Sequence, residues 1–222
     1  MRALQARGVH VVGLSRRASQ ADEHEECDVS DRAAVDAVAA RVLERHPTVW
    51  LLVNNAGVGA RGNYLDTPSE GIELVVRVKY LGSVWATRAF LPGLVRGSHV
   101  VNLVSVAGTV AVGPYSASKH AQLAFSRSLA VELAPRGVSV HTVNPGFVET
   151  EGFPQRGRLP RPLYRLVVQP PLVVERLLAA VDEDRREIVV PRWYRPAAWA
   201  QALVPGAFAR ARGCFARQEP GA

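Results

Sequence analysis

Cysteine, lysine and methionine are nearly absent from this chain of 222 residues, which holds two Cys, two Lys and one Met. Cys27 and Cys214 share no C-x-x-C or metal-ligand spacing, so a disulfide framework and a cysteine-built metal centre are both excluded. No apolar run approaches the ~20 residues that cross a bilayer, and Met1-Arg-Ala-Leu-Gln-Ala-Arg7 is too short and too polar for a secretory leader. A soluble, cytoplasmic protein without a metal is the expectation. Internal repeats are also missing. The net charge of +7 raises the question of nucleic acid, but the excess lies in the C-terminal third, dispersed over Arg156, Arg158, Arg161, Arg165, Arg192, Arg195, Arg210 and Arg212. Without aromatic interleaving or a helical basic stripe, this reads as a solvated basic surface and no nucleic-acid partner is expected.

What is present is an alternation of strand-length apolar runs with helical patterns, at a length and apolar content that suit one domain with a sizeable core. Strands are predicted at 9–14, 49–53, 99–104, 138–143 and 187–190. Helices are predicted at 31–46, capped by Ser30 or Asp31 and ended by Pro47, at 69–91, at 115–134 and at 172–182. Residues 151–171 are rich in Pro, Gly and Arg and are expected to form a loop over the site. The domain is placed at 1–195, followed by an apolar and basic tail over 196–222.

Three features converge on chemistry. Tyr115 and Lys119 are four apart on a predicted helix and share a face, so an ammonium near the phenol would favour phenolate and tune it for proton transfer. Ser105 follows the run Val100-Val101-Asn102-Leu103-Val104, which places a hydroxyl at the C-terminal end of a strand, where open α/β sheets bind ligands. Asn54-Asn55-Ala56-Gly57 closes an earlier strand in a turn of small residues.

Together these motifs resemble the short-chain dehydrogenase/reductases, over about Ala3 to Arg195. The resemblance implies a Rossmann-like, doubly wound parallel α/β sheet with helices on both faces. It also implies hydride transfer between a nicotinamide cofactor and a small-molecule carbonyl or alcohol. Tyr115 would be the general acid/base, Lys119 would lower its pKa and meet the nicotinamide ribose, and Ser105 would polarise the substrate oxygen. On the cofactor, Asn55, Ala56 and Gly57 would approach the adenosine half, Asp28 and Val29 the adenine, and Pro145, Gly146, Val148 and Thr150 the nicotinamide end. Asp28 also reads as a helix cap. At the exit of strand 9–14 stand Ser15, Arg16 and Arg17 in place of the carboxylate that would accept from a ribose 2′-hydroxyl, so NADP(H) is favoured over NAD(H).

The chain departs from the family in three places. The TGxxxGxG turn and the strand before it do not occur; Met1 to Gly8 resembles the end of the helix that follows that turn. An N-terminally truncated domain with an incomplete sheet is expected, from an upstream start missed in the gene or from a truncated relative. Lys79 stands where the family has Asn, which would bring a second cation to the site, and it is assigned to the catalytic group with Ser105, Tyr115 and Lys119. The interval from Ser105 to Tyr115 is two or three residues shorter than is usual.

The segments 106–114 and 147–171, with Trp193, Tyr194 and Trp199, favour a lipophilic substrate. A homodimer or homotetramer is expected from the resemblance. The alternatives are a non-catalytic relative that serves as a binding or dimerisation partner and, more weakly, a membrane-surface protein using Ala197 to Arg212 as an interfacial helix.

Overall fold

Residues 1–59, 62–106, 108, 113–149, 164, 166–196, 203, 204 and 206 are described by the computed structural model. Strands β1 (Val12–Ser15) and β2 (Glu23–Glu26) form one parallel sheet. A second parallel sheet has the order β3 (Leu51–Asn54), β4 (His99–Leu103), β5 (Ser139–Pro145) and β6 (Glu187–Val190). The doubly wound sheet is therefore divided between β1 and β3, which do not pair.

Alternation along the strands sends side chains to opposite faces, and helices cover both. Val100 and Val140 pack with Leu129 and Leu133 of α5 (Pro114–Leu133). Val101, Val143, Ile188 and Val190 pack on the other face with Val173, Leu177 and Val181 of α6 (Pro170–Asp182), where Ala3 and Leu4 of α1 (Arg2–Gln5) join them. Each such buried side chain contributes about 1.5–3 kcal/mol. A third cluster links the two sheets: Val35, Val38 and Val42 of α2 (Arg32–Arg45) meet Phe90 of α4 (Gly82–Phe90), and Val12 and Leu14 from β1 and Leu52 from β3 pack against them.

Local chemistry explains where the elements depart from expectation. Asp31, rather than Ser30, caps α2 by accepting from the amides of Ala33 and Ala34. The strand expected from Val9 starts at Val12, because the Val9 amide closes α1 onto Leu4 and the Val11 amide is held by the Asp22 carboxylate. β2 was not legible at all, since Glu23-His24-Glu25-Glu26 contains no apolar residue. Its carboxylates are held instead by α2: Arg41 and Arg45 lie 2.8 and 2.7 Å from Glu25. Pro170 and Pro171 open α6 at positions that need no amide, two residues earlier than expected.

The long helix is continuous from α3 (Ser69–Val76) to α4, but residues Arg77–Leu81 form a π-helical turn. Such turns insert an extra residue and re-aim the side chains within them. Here Val78 and Lys79 turn inward. Gly82 follows because a β-carbon there would lie 2.9 Å from the carbonyl oxygen of Val29. Gly82→Ala is accordingly expected to lower the unfolding free energy by about 1–3 kcal/mol, to be read from urea denaturation; an unchanged midpoint would show that the contact between α4 and the Val29 turn relaxes freely. Among the described residues, no helix is long and apolar enough to cross a membrane.

Candidate active site

Because the strands are parallel, their C-terminal ends deliver Ser15, Asn54, Ser105 and Pro145 toward one edge. Gly113, at φ 90°, redirects the chain into α5, and Pro114 takes the first helical position, so Tyr115 sits in the first turn and Lys119 one turn on. Tyr115 is half-buried, while Ser105, Lys119 and Lys79 are buried.

Ser105 is hydrogen-bonded to the Tyr115 hydroxyl, and its Oγ also lies 3.4 Å from the Pro145 carbonyl oxygen. Burial raises the Tyr115 pKa above its usual value and the Ser105 hydrogen bond opposes that rise. The expected lowering by Lys119 is not found. Its Nζ donates to the Leu103 carbonyl at 2.6 Å and to Gln122 Oε1 at 2.7 Å. The cation facing Tyr115 is Lys79, whose Nζ stands 4.7 Å from the ring centroid. Gly57 makes room for it, since a β-carbon there would lie 2.7 Å from that Nζ. Burial pushes the Lys79 pKa down to about 8. Lys119 is pushed well below its ordinary value by burial, with the like charge of Lys79 adding to the effect.

A buried polar network supports these groups and was not anticipated. Gln122 joins Lys119 to Ser83, whose hydroxyl returns to the Lys79 carbonyl. Asn54 donates to Asn102 at 2.8 Å and to Thr87 at 3.1 Å, and Asn102 continues to Ser126 and Thr142. The available signal was Asn102 interrupting an apolar strand and Gln122 three residues after Lys119 on the same face.

The remaining site residues are more dispersed. Asn55, Ala56 and Gly57 are exposed on the turn after β3. Ser15 donates to the Arg17 carbonyl at 2.6 Å, and Arg16 lies 3.9 Å from Asp28. Asp28 is not a helix cap: its carboxylate accepts from the amide and hydroxyl of Ser30, which lower its pKa. Val29 packs behind it in the cluster of α2 and α4. The Tyr194 ring covers Gly146 so closely that a β-carbon would overlap it, and Val148 bridges to Val168. Thr150, most of the loop 151–171 and most of the tail lie outside the described residues.

Known proteins resemble the chain in sequence and in fold. The family model described as short chain dehydrogenase matches residues 2–158. Dehydrogenase/reductase SDR family member 7B of Xenopus laevis is 40% identical over 128 residues, covering 55% of this chain and 40% of that protein. The Bos taurus protein of the same name is 29% identical over 220 residues, covering 91% and 68%. The chain spans 40% and 57% of the lengths of the Xenopus laevis and Xenopus tropicalis proteins. Among solved structures, a short-chain dehydrogenase from Burkholderia cenocepacia in complex with NADP has a TM-score of 0.80 at 27% identity, over 95% of this chain and 89% of that one. A short-chain dehydrogenase from Streptomyces avermitilis has a TM-score of 0.78 at 26% identity, over 99% and 92%. Matching the family across most of its sequence and the fold across nearly all of its length, the chain belongs to the short-chain dehydrogenases.

Proposed function

We propose that the protein is an NADP(H)-dependent oxidoreductase acting on a lipophilic carbonyl or alcohol. The observation that carries this is the contact of Ser105 with the Tyr115 hydroxyl beside a buried cation, at the C-terminal edge of a parallel sheet. Tyr115, with its pKa raised, holds its proton at neutral pH and is suited to donate it to a carbonyl oxygen. Ser105 would hydrogen-bond the same oxygen as negative charge develops on it. Lys79, Lys119 and Gln122 position and charge the surroundings of the phenol. The cofactor, when bound, supplies the hydride.

Two observations support a fit to that cofactor. The Arg16 side chain is 67% exposed and, among the described residues, is held by a 3.9 Å ion pair to Asp28, which leaves its donors open to a 2′-phosphate. Asn55 to Gly57 leave an open, small-residue surface for the adenosine half, and Pro145, Gly146, Val148 and Thr150 are assigned to the nicotinamide end. The solved NADP complex of the Burkholderia relative makes NADP(H) the natural first choice. Phe147, Tyr194 and Trp193 form an aromatic group beside that end, with ring centroids 6.2 and 6.5 Å apart in sequence, which suits an apolar substrate. Assembly as a homodimer or homotetramer is part of the same reading.

Arg16→Asp is expected to move cofactor preference from NADPH toward NADH, read as the ratio of kcat/KM values with an aromatic ketone. Unchanged selectivity would remove Arg16 from cofactor recognition. A second reading, a non-catalytic relative acting as a partner protein, draws on Lys119 bonding to Leu103 and Gln122 and on the divided sheet. NADPH oxidation with a panel of apolar ketones separates the two: turnover supports the enzyme, and a folded chain without NADPH affinity supports the partner.

A further inference from the structure

At the other end of β1 and β2, away from Ser15 and Arg16, three side chains from three elements converge. His10 precedes β1, Glu23 opens β2, and His46 follows α2. Pro47 disfavours helical backbone at His46, which leaves the helix at φ −130°, ψ 80°. The Nε2 atoms of His10 and His46 both approach one atom, Glu23 Oε1, at 2.9 and 2.8 Å, and the two rings lie 5.2 Å apart. The other Glu23 oxygen accepts from Arg45 Nε and Nη2 at 3.2 Å, which fixes the orientation of the carboxylate.

We propose that His10, Glu23 and His46 form a divalent transition-metal site of the zinc class, with water completing the coordination; each imidazole gives up its Nε2 proton, by a tautomer shift to Nδ1 or by release to solvent, so that the freed lone pair binds the ion. The ligand atoms all lie within 4.8 Å of one another. Tetrahedral bonds of about 2.0–2.1 Å place ligand atoms about 3.3 Å apart, so on binding the two imidazole–carboxylate contacts open by about half an ångström and the two Nε2 atoms, within 4.8 Å of one another, take up the same spacing. Two imidazoles select zinc, cobalt, nickel or copper over calcium and magnesium, which prefer all-oxygen sites. Arg45 acts as the outer partner that orients the carboxylate. A bound ion would tie β1, β2 and α2 together, stapling the small sheet, and its chemistry is independent of the hydride-transfer site. Neither sequence spacing nor a motif marks these residues, because the three ligands come from separate elements.

The test is a titration of the metal-free full chain with Co2+ and Zn2+, followed by calorimetry and by the visible bands of four-coordinate Co2+. One ion per chain is expected, with a rise in melting temperature, and His46→Gln and His10→Gln should each weaken binding by more than about tenfold. All three ligand side chains reach solvent, so these variants are expected to fold; circular dichroism checks it, and Glu23→Gln supplies a third variant. Absence of stoichiometric binding by the unaltered chain overturns the proposal. So does binding that survives both histidine changes or is lost with His99→Gln, which would move the site to the second convergence, at His99, His141 and Asp184.

Discussion

Tyr115→Phe is expected to slow ketone reduction by about 10²–10⁴-fold, the usual contribution of a positioned general acid, while NADPH affinity and folding stay close to those of the unaltered chain. The substitution removes one oxygen from a half-buried ring that otherwise stays in place. Ser105 loses a hydrogen bond but retains the Pro145 carbonyl oxygen at 3.4 Å, so the stability cost should stay within about 1 kcal/mol. Steady-state rates, paired with calorimetric NADPH binding, separate chemistry from binding. Loss of binding in step with loss of rate would place Tyr115 in cofactor recognition, and retained turnover would remove it from the chemistry.

Lys79→Met should make the protein more stable at neutral pH. Lys79 is 6% exposed, and burial lowers its pKa from 10.5 to about 8, which means that its charged form is disfavoured in the folded chain. Below pH 8 that penalty is fully present. Between pH 8 and 10.5 the unfolded chain binds more protons than the folded one, so stability rises with pH until the penalty is gone. The interval corresponds to about 3 kcal/mol. Methionine matches the side-chain length without the charge, so the variant should gain up to about 3 kcal/mol at pH 7 and lose this share of the rise. Urea unfolding at pH 7 and pH 9.5 measures both. Equal stability of the two chains at pH 7 would show that the ammonium reaches water.

The parts of the fold that rest on apolar patterning were readable in the sequence. β4, β5 and β6 and helices α2, α5 and α6 appear within two residues of expectation, because each buries a face whose period is visible. β2 was hidden because its stability comes from Arg41, Arg45 and the histidines beside it, contacts that join distant positions and leave no periodicity. The π turn was hidden because it changes the rotation of Lys79 without changing the helical pattern around it. That turn is also why the site differs from its sequence-based picture. Spacing puts Tyr115 and Lys119 one turn apart on α5, and the structure adds what spacing does not carry: Lys119 donates to the buried acceptors at Leu103 and Gln122, and Lys79 stands over the Tyr115 ring. Competition among buried hydrogen-bond partners is a tertiary property.

The most direct measurement follows deuterium from NADPH labelled at C4 of the nicotinamide into an apolar ketone, using the chain with any in-frame upstream codons included. Deuterium is expected on the carbinol carbon of the product with the unaltered protein, with a loss of about 10²-fold or more in that transfer with Tyr115→Phe. A folded protein that binds no NADPH and transfers no deuterium would contradict that expectation.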